Sequence, residues 1–597
     1  MKVNDYMVNF LQKQGIDKGF FLHGGMITPI ADSCYRFGLT LYTVHHEQAA
    51  AFAAEAQSAT TGKIGFAMGT SGPGATNMVT GIASAYFDSF PVLFITGQVN
   101  TGEGNKNKKR RQAGFQELDI VTLVSSITKY ATLIHDSNMV PYELEKATFI
   151  AKNKRMGPVL LDIPIDVQQA EIDPNNVKHF FGSSEHQELT NEEFATKPQL
   201  LKIATLLNQS QRPIILIGHG VKLSHSESLV RKLVDITGIP FVTSLLGTDS
   251  ISNSNDNCYG FVGTYGKRYS NFAIANSDLI LVLGSRLDNR QIGVQSKFFA
   301  PKAKIIHVDI DENELNQSIE EFMSIRSDLN EFVGSLLPYL TRNPNLEEWT
   351  IFLKSLKAKY NKEEQSVKPN EIDPINMIKF ISSKYPDDGI ITVDVGANQM
   401  WFAHGWEVKD GQTILTNGGM APMGYSLPAA IGASLTNGNM QVLVITGDGG
   451  LQINIQEFQT VVRNGLPIKI VVLNNNALGM ITQFQTENFE GRLIGTVPAH
   501  GYNAPNFAKI SQAYGIPSKQ IATPDKVADS IDWLLNSKSA GLLDVIIPSS
   551  YFTLPKSRFT YPVHDMLPFL ERKEFEWATK YLQERKINLG EEEFTSL

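Results

Sequence analysis

The sequence predicts an α/β protein made of three doubly wound parallel-sheet domains, and three observations carry that expectation. Short apolar runs rich in β-branched residues recur along the chain: IGFAMGT, PVLFITG, PVLLDIP, RPIILIG, DLILVLG, KIIHVDI, GIITVDVG, QVLVITGDGG and IKIVVLNNN. Most of them end in Gly, Asp or Asn and give way to an Ala-rich or amphipathic stretch, as a buried parallel strand does when it feeds a helix. Two polar stretches, at about 169–198 and 342–374, interrupt the alternation and separate it into blocks.

Those breaks predict an N-terminal domain over 1–170, a central domain over 195–342, a third domain over 370–550 and a C-terminal tail over 551–597. Inside the second break, LEEWTIFLKSLKAKY has the spacing of a helix. A chain of 597 residues is too long for one core, which agrees with several domains. Its 42% hydrophobic and 19% charged content is that of an ordinary globular protein. No apolar run is long enough to cross a bilayer, so no membrane role is expected. Near the N-terminus Tyr6, Met7, Phe10 and Leu11 space out as an amphipathic helix, where a signal peptide would need a continuous apolar run. Two cysteines far apart, Cys34 and Cys258, argue against a disulfide framework, and the reading is cytoplasmic. A net charge of −8 gives no basic face for nucleic acid.

The chemistry is densest at Gly447-Asp448-Gly449-Gly450 and Asn474-Asn475-Asn476. Asp448 closes one apolar strand, and Asn475 closes the next after a single intervening helix. Gly449 and Gly450 let backbone amides approach an anion closely. A carboxylate and a carboxamide oxygen at one sheet edge, beside a diphosphate, suit Mg²⁺. GDG alone is more often a plain strand-end turn; the Asn pair at this spacing favours the site.

With these residues in place, the chain resembles the thiamine-diphosphate enzymes, closest to the acetohydroxyacid (acetolactate) synthases. Further segments carry the resemblance in the family's order: HEQAAAFAAEA, GTSGPGATN, DSFPVLFITGQV, GFQE, GPVLLDIP, GGMAPMGYSLPAAIGA and NNNALGM. It implies thiamine diphosphate as coenzyme, with Asp448, Asn475 and the carbonyl of Ala477 as Mg²⁺ ligands. Glu47 would protonate the aminopyrimidine ring, a task for a carboxyl poised by burial between its two states. Met423 would wedge between the coenzyme's two rings, and the carbonyl of Ala421 would meet the pyrimidine amino group where members usually have Gly. Gly396, Asn398, Gly449 and Gly450 would line the diphosphate, although VGANQMW departs from the family's Gln-His at Ala397-Asn398. Gly25, Phe115 and Gln116 match positions near the reacting carbon, with His23 standing where Pro is usual. GTSGPGATN lacks the Gly-Lys-Ser/Thr ending of a nucleotide phosphate loop.

In the central block, IGHGV (Gly218, Gly220), TSLLG (Thr243, Leu245), GSRLDNR (Gly284, Arg286) and HVDID (Asp309) have the order of a dinucleotide site. In the resembled synthases these segments hold FAD, with a structural role open to it; related enzymes keep the domain empty or bind another nucleotide.

The resemblance implies decarboxylation of pyruvate and transfer of its two-carbon unit to a carbonyl acceptor, in a homodimer or homotetramer with each site shared between chains. For the acceptor, departures from the synthases lean toward a nucleotide-linked keto sugar. NTGEGNKNKKRRQA, with Lys106, Lys108, Lys109, Arg110 and Arg111, is longer than the usual loop and matches a branch associated with surface polysaccharides, as does HDMLPFLERKEF in the tail. Phe484 replaces a Trp, Ile165 a Lys and Asn100 a Pro. Such basic groups can grip a diphosphate, but a basic run is as often merely a solvated loop. Against the sugar stands Arg290, which matches the arginine that meets an acceptor carboxylate, so acetolactate formation from a second 2-oxo acid stays open. So do an FAD-linked pyruvate oxidase, simple decarboxylation to acetaldehyde, and a catalytically inactive binding subunit, the last opposed by retention of Glu47, Met423, Asp448 and Asn475 together.

Overall fold

A computed structural model describes residues 1–104, 110–190, 194–362 and 365–582. Most of its strands form three six-stranded parallel sheets, which is the α/β class expected, and a short antiparallel pair joins Lys556–Ser557 to Met566–Leu567. In the first are β1 (Lys18–Phe21), β2 (Thr40–Thr43), β3 (Gly65–Gly69), β4 (Val92–Gln98), β5 (Tyr130–Leu133) and β6 (Val159–Pro164), in the order β2-β1-β3-β4-β6-β5. The second has β7 (Pro213–Ile217), β8 (Phe241–Thr243), β9 (Cys258–Phe261), β10 (Leu279–Leu283), β11 (Lys304–Asp309) and β12 (Met323–Arg326), in the order β12-β11-β10-β7-β8-β9. The third holds β13 (Ile390–Val393), β14 (Thr413–Leu415), β15 (Val442–Gly447), β16 (Ile468–Asn474), β17 (Ser518–Ile521) and β18 (Gly541–Ile546), in the order β14-β13-β15-β16-β18-β17.

The first and third sheets therefore repeat one topology, and the second has the order of a dinucleotide-binding sheet. In each, the strand order reverses near its first strand: between β1 and β3, between β7 and β10, and between β13 and β15. Ligands of open parallel sheets bind beyond the carboxyl ends of the strands at that reversal. All nine apolar runs quoted above are strands, and every residue of β3, β4, β6, β7, β10 and β16 is buried, because helices cover both sheet faces.

The chain groups into two compact units. One comprises Met1–Asn191, Val367–Trp406 and Gly411–Phe552, and carries the first and third sheets. The other comprises Glu192–Ser366, Glu407–Asp410 and the chain from Thr553, and carries the second. Within the first unit the two sheets meet through the Ala-rich helix Glu47–Thr61 and the helix Ser426–Thr436. The contact is close enough that a Cβ on Gly432 would fall 2.2 Å from the Ala53 carbonyl oxygen. LEEWTIFLKSLKAKY forms the helix Glu347–Tyr360, and the first helix, Val3–Lys13, buries Met7, Phe10 and Leu11. Cys34 and Cys258 are buried thiols. Among the described residues no helix is long and apolar enough to cross a membrane.

Candidate active site

Glu47 is the first residue of its helix, following β2, and is buried at 5% exposure. His46 caps that helix by accepting the N–H of Gln48, and the Asn77 side chain donates to Glu47 Oε2 at 2.9 Å. Gly74, in the first turn of the helix Pro73–Phe87 that follows β3, lies so close that a Cβ there would be 3.3 Å from Glu47 Oε1. The carboxyl is thus held in place by the segment GTSGPGATN, which runs from the end of β3 into that helix. Just upstream, the buried carboxyl of Glu457 accepts the N–H of His45, tying the approach to Glu47 to the third sheet's domain.

Around the same sheet end, Gly25 stands open, with nothing within 4 Å of a Cβ built on it. Gln116 has φ +62°, and its carbonyl oxygen would lie 3.0 Å from a Cβ on Gly72, so the segment around Phe115 and Gln116 rests on that turn. Phe115 is 79% exposed. Gln98, at the end of β4, donates to both the Leu118 carbonyl and Asp162, anchoring the same segment.

At the third sheet, Asp448 follows β15 and is buried. Its oxygens accept the N–H groups of Gly449 (2.8 Å) and Ala477 (3.2 Å), and Tyr502 adds a further hydrogen bond. Burial pushes its carboxyl up to about 6, partly offset by those bonds. A buried acid reached only by neutral donors is a site a cation would complete. Asn475, also buried, follows β16, the strand paired with β15, so the two side chains lie at neighbouring strand ends. Asn476 adopts φ +51°, which Asn tolerates, and this turns the chain so that Ala477 faces Asp448. Among the described residues no group of three His, Cys, Asp or Glu gathers elsewhere as a metal site.

Met423 reaches this turn. A Cβ on Gly449 would fall 2.8 Å from its Cε and 2.9 Å from Leu478 Cδ2, so any larger residue at 449 would push these side-chain ends aside. Ala421 has φ +55°, the left-handed region its usual glycine would occupy without strain. Ala421 thus holds a backbone conformation that glycine would adopt more readily. Gly450 packs on Asp394, which would sit 2.5 Å from a Cβ there. Asn398 spends a side-chain N–H on the Asp394 carbonyl at 2.7 Å, and its Oδ1 faces Gly396 and Gly447. Asp394 and Tyr502 were not singled out by the sequence reading. Asp394 carried the signal of a strand-end acid in GIITVDVG; Tyr502 carried none.

In the second unit, Gly218, Gly220 and Gly284 meet at the reversal of the sheet. A Cβ on Gly218 would fall 2.1 Å from the Gly284 carbonyl oxygen, so these glycines serve backbone approach. Thr243 ends β8 and Leu245 follows it, Asp309 ends β11, and Arg286 lies beyond β10, so all stand at strand ends of one sheet edge. Leu287 is held at φ +52°. Beside it, Ser285 donates to Gln291 Oε1 at 2.8 Å, while Gln291 Nε2 is buried without a hydrogen-bond partner among the described residues. Ser250 Oγ is in the same condition. Strained backbone and an unsatisfied buried donor at a reversal point fit a bound polar ligand such as a dinucleotide.

Of the acceptor candidates, Lys106, Lys108 and Lys109 lie outside the described residues. Arg110 and Arg111 are exposed. Arg290 is exposed, with its guanidinium 5.6 Å from the Tyr265 ring centroid. Phe484 packs edge-on against Phe489 at 5.7 Å.

Sequence comparison agrees with this arrangement domain by domain. Residues 1–123 match the thiamine pyrophosphate enzyme N-terminal TPP binding domain, 200–336 its central domain, and 394–545 its C-terminal TPP binding domain. The chain belongs to the thiamine pyrophosphate enzymes. Within that family it is similar to acetolactate synthase large subunits over nearly its whole length. It is 35% identical to that of Lactococcus lactis, covering 91% of this chain and 92% of the relative. It is 34% identical to the isozyme 2 large subunit of Escherichia coli K12, with 91% and 95% covered, and 33% identical to acetolactate synthase 2, chloroplastic, of Nicotiana tabacum, with 93% and 83% covered. The protein is accordingly an acetolactate synthase-like enzyme of the carbon–carbon-ligating type.

Proposed function

We propose that this enzyme decarboxylates pyruvate and transfers the remaining two-carbon unit to a carbonyl acceptor. The observation that carries this reading is the pair of complementary strand-end sites on two sheets of one topology: Glu47 held by Asn77, and Asp448 beside Asn475. Thiamine diphosphate, when bound, supplies a nucleophilic carbon and accepts the electron pair released with CO₂. Asp448, Asn475 and the Ala477 carbonyl would hold Mg²⁺; Gly449, Gly450, Gly396 and Asn398 would face the diphosphate. Glu47 would hold and return a proton at the pyrimidine ring, and Met423 would pack against the coenzyme. Gly25, Phe115 and Gln116 are read as facing the reacting carbon. Because members of this family build each site from two chains, Glu47 would serve coenzyme held by another copy, making a homodimer the smallest active unit.

FAD is read into the central domain at Gly218, Gly220, Thr243, Leu245, Gly284, Arg286 and Asp309, supported by the unsatisfied donor of Gln291. Two-carbon transfer moves no net electrons, so a bound flavin would serve structure. The four-domain division at 1–170, 195–342, 370–550 and 551–597 and a cytoplasmic site of action remain parts of this reading.

For the acceptor, a nucleotide-linked keto sugar is the first reading, on the basic run that ends in exposed Arg110 and Arg111 just before Phe115 and Gln116. A second 2-oxo acid is the alternative, favoured by the names of the relatives and by Arg290. The two separate in a competition assay with pyruvate as donor. A keto-sugar nucleotide that suppresses acetolactate formation, with a raised KM once the basic run is neutralised, supports the sugar. Fast acetolactate formation untouched by any such nucleotide removes it.

A further inference from the structure

The segment from Asn417 to Ser426, which carries Ala421 and Met423, is fastened at both ends by buried acids. At the far end Asp394 accepts the N–H groups of Gly424 and Ser426 and the Ser426 hydroxyl. At the near end the Asn417 amide reaches Ser84 Oγ (2.8 Å), Asp88 Oδ2 (3.0 Å) and Glu55 Oε1 (3.1 Å). The N–H groups of Gly418 and Gly419 also donate to Asp88, at 3.2 and 2.8 Å. The fit is tight: a Cβ on Gly419 would lie 2.5 Å from Phe87 Cβ and 3.0 Å from Asp88 Oδ1. Glu55 lies two turns into the helix that begins with Glu47, and Asp88 caps the helix Pro73–Phe87.

Three acceptors thus converge on an amide with two N–H protons. Glu55 is fully buried, and Asp88 is the like charge beside it. The groups that face Glu55 from the packed elements are Asp88 and Ser84 on one helix, Asn417 on the loop, and the buried Tyr425 hydroxyl. Burial first, and Asp88 second, push the Glu55 carboxyl up to about 8; the nearby Ser84 and Tyr425 hydroxyls and the Asn417 amide oppose this without reversing it. At neutral pH the cluster therefore holds a proton on Glu55.

We propose that Glu55 and Asp88 are positioning residues for the coenzyme loop: Asp88 grips Asn417, Gly418 and Gly419, and Glu55 completes the grip only while it carries a proton. The inference rests on the reading of Ala421 and Met423 as coenzyme contacts. Above the point at which Glu55 ionises, two anions face one amide, the near end of the loop loosens, and coenzyme binding weakens. Both act through the loop, Glu55 through Asn417 and Asp88 through Asn417, Gly418 and Gly419.

The test is calorimetric titration of the full-length, coenzyme-stripped protein with thiamine diphosphate at fixed Mg²⁺, at pH 7 and pH 9. The parent should lose about tenfold in affinity over that interval, since each pH unit beyond an ionisation coupled to binding costs a factor of ten. Glu55→Gln, which cannot ionise, should bind within about twofold of the parent at pH 7 and keep that affinity at pH 9. Asp88→Asn should weaken binding at least about tenfold already at pH 7. A Glu55→Gln protein that follows the parent's fall with pH, or an Asp88→Asn protein that binds as the parent does, overturns the proposal. Should Asp88→Asn not fold, the pH profile of Glu55→Gln decides alone. Met423→Ala separates the two levels of the argument. If that variant turns over as the parent does, the loop is not a coenzyme contact and the underlying reading fails. If it is impaired while Glu55→Gln tracks the parent, only the clamp fails.

Discussion

At the scale of single residues, Glu47 is the sharpest test of chemistry against structure. Its carboxyl is buried, hydrogen-bonded by Asn77 and crowded by Gly74, so a carboxamide fits the same space. Glu47→Gln should leave coenzyme affinity near that of the parent while turnover falls by about 10²–10⁴, the usual contribution of a general acid–base group. Parallel calorimetry and pyruvate-consumption assays check both halves. Ala421 poses a different question, because its φ of +55° is uncomfortable for any residue with a Cβ. The strain costs about 1–2 kcal/mol, and glycine returns about 0.4–1 kcal/mol of that as unfolded-chain entropy. Ala421→Gly should therefore stabilise the protein by on the order of 0.5 kcal/mol, readable as a small rise in Tm. A fall in Tm would mean that the methyl group makes a packing contribution larger than the strain.

At the scale of elements, the strand-end turns set the pH behaviour. Asp448 must be ionised to hold a metal, and burial has raised it from 3.8 to about 6. Proton and cation then compete, so Mg²⁺ affinity should be level above that value and fall about tenfold per pH unit below it. Titrations of Mg²⁺ at fixed coenzyme between pH 5 and 8 read this directly; a flat profile would remove Asp448 as a ligand. In the second unit, Gln291→Leu deletes the unsatisfied donor. Flavin bound per chain, measured by absorbance, should drop, with FAD affinity about tenfold weaker, the worth of one buried hydrogen bond. Much of this architecture was legible in the sequence, because the long interior strands are unbroken apolar runs and the metal turn joins two of them. The edge strands were not. β14 is three residues long, and β2 and β17 are partly exposed, so they carry no apolar run of their own; β8 is interior, but its three residues are too few to show one. Asp88, Asn417 and Tyr502 escaped for another reason. Each acts on residues far away in sequence, and no local pattern encodes that distance. Ala421 was visible as a departure, yet only the backbone shows that it sits in the left-handed region.

At the scale of the whole molecule, Glu47 belongs to the first sheet's domain and Asp448 to the third's, on two sheets with the same strand order. If each active site joins these domains from different chains, two inactive variants can repair one another. Co-expressed Glu47→Gln and Asp448→Ala chains should recover about a quarter of the parent activity. Half of the random dimers are mixed, and each mixed dimer has one intact site. No recovery, with mixed dimers shown to be present, would place both groups of a site on the same chain. The central claim is the reaction itself. Purified protein supplied with pyruvate, thiamine diphosphate and Mg²⁺, with and without candidate acceptors, should release one CO₂ for each product formed. The product mass should equal that of the acceptor plus pyruvate less CO₂, with no oxygen consumed. Pyruvate left unchanged, or acetate formed with uptake of oxygen, would contradict it.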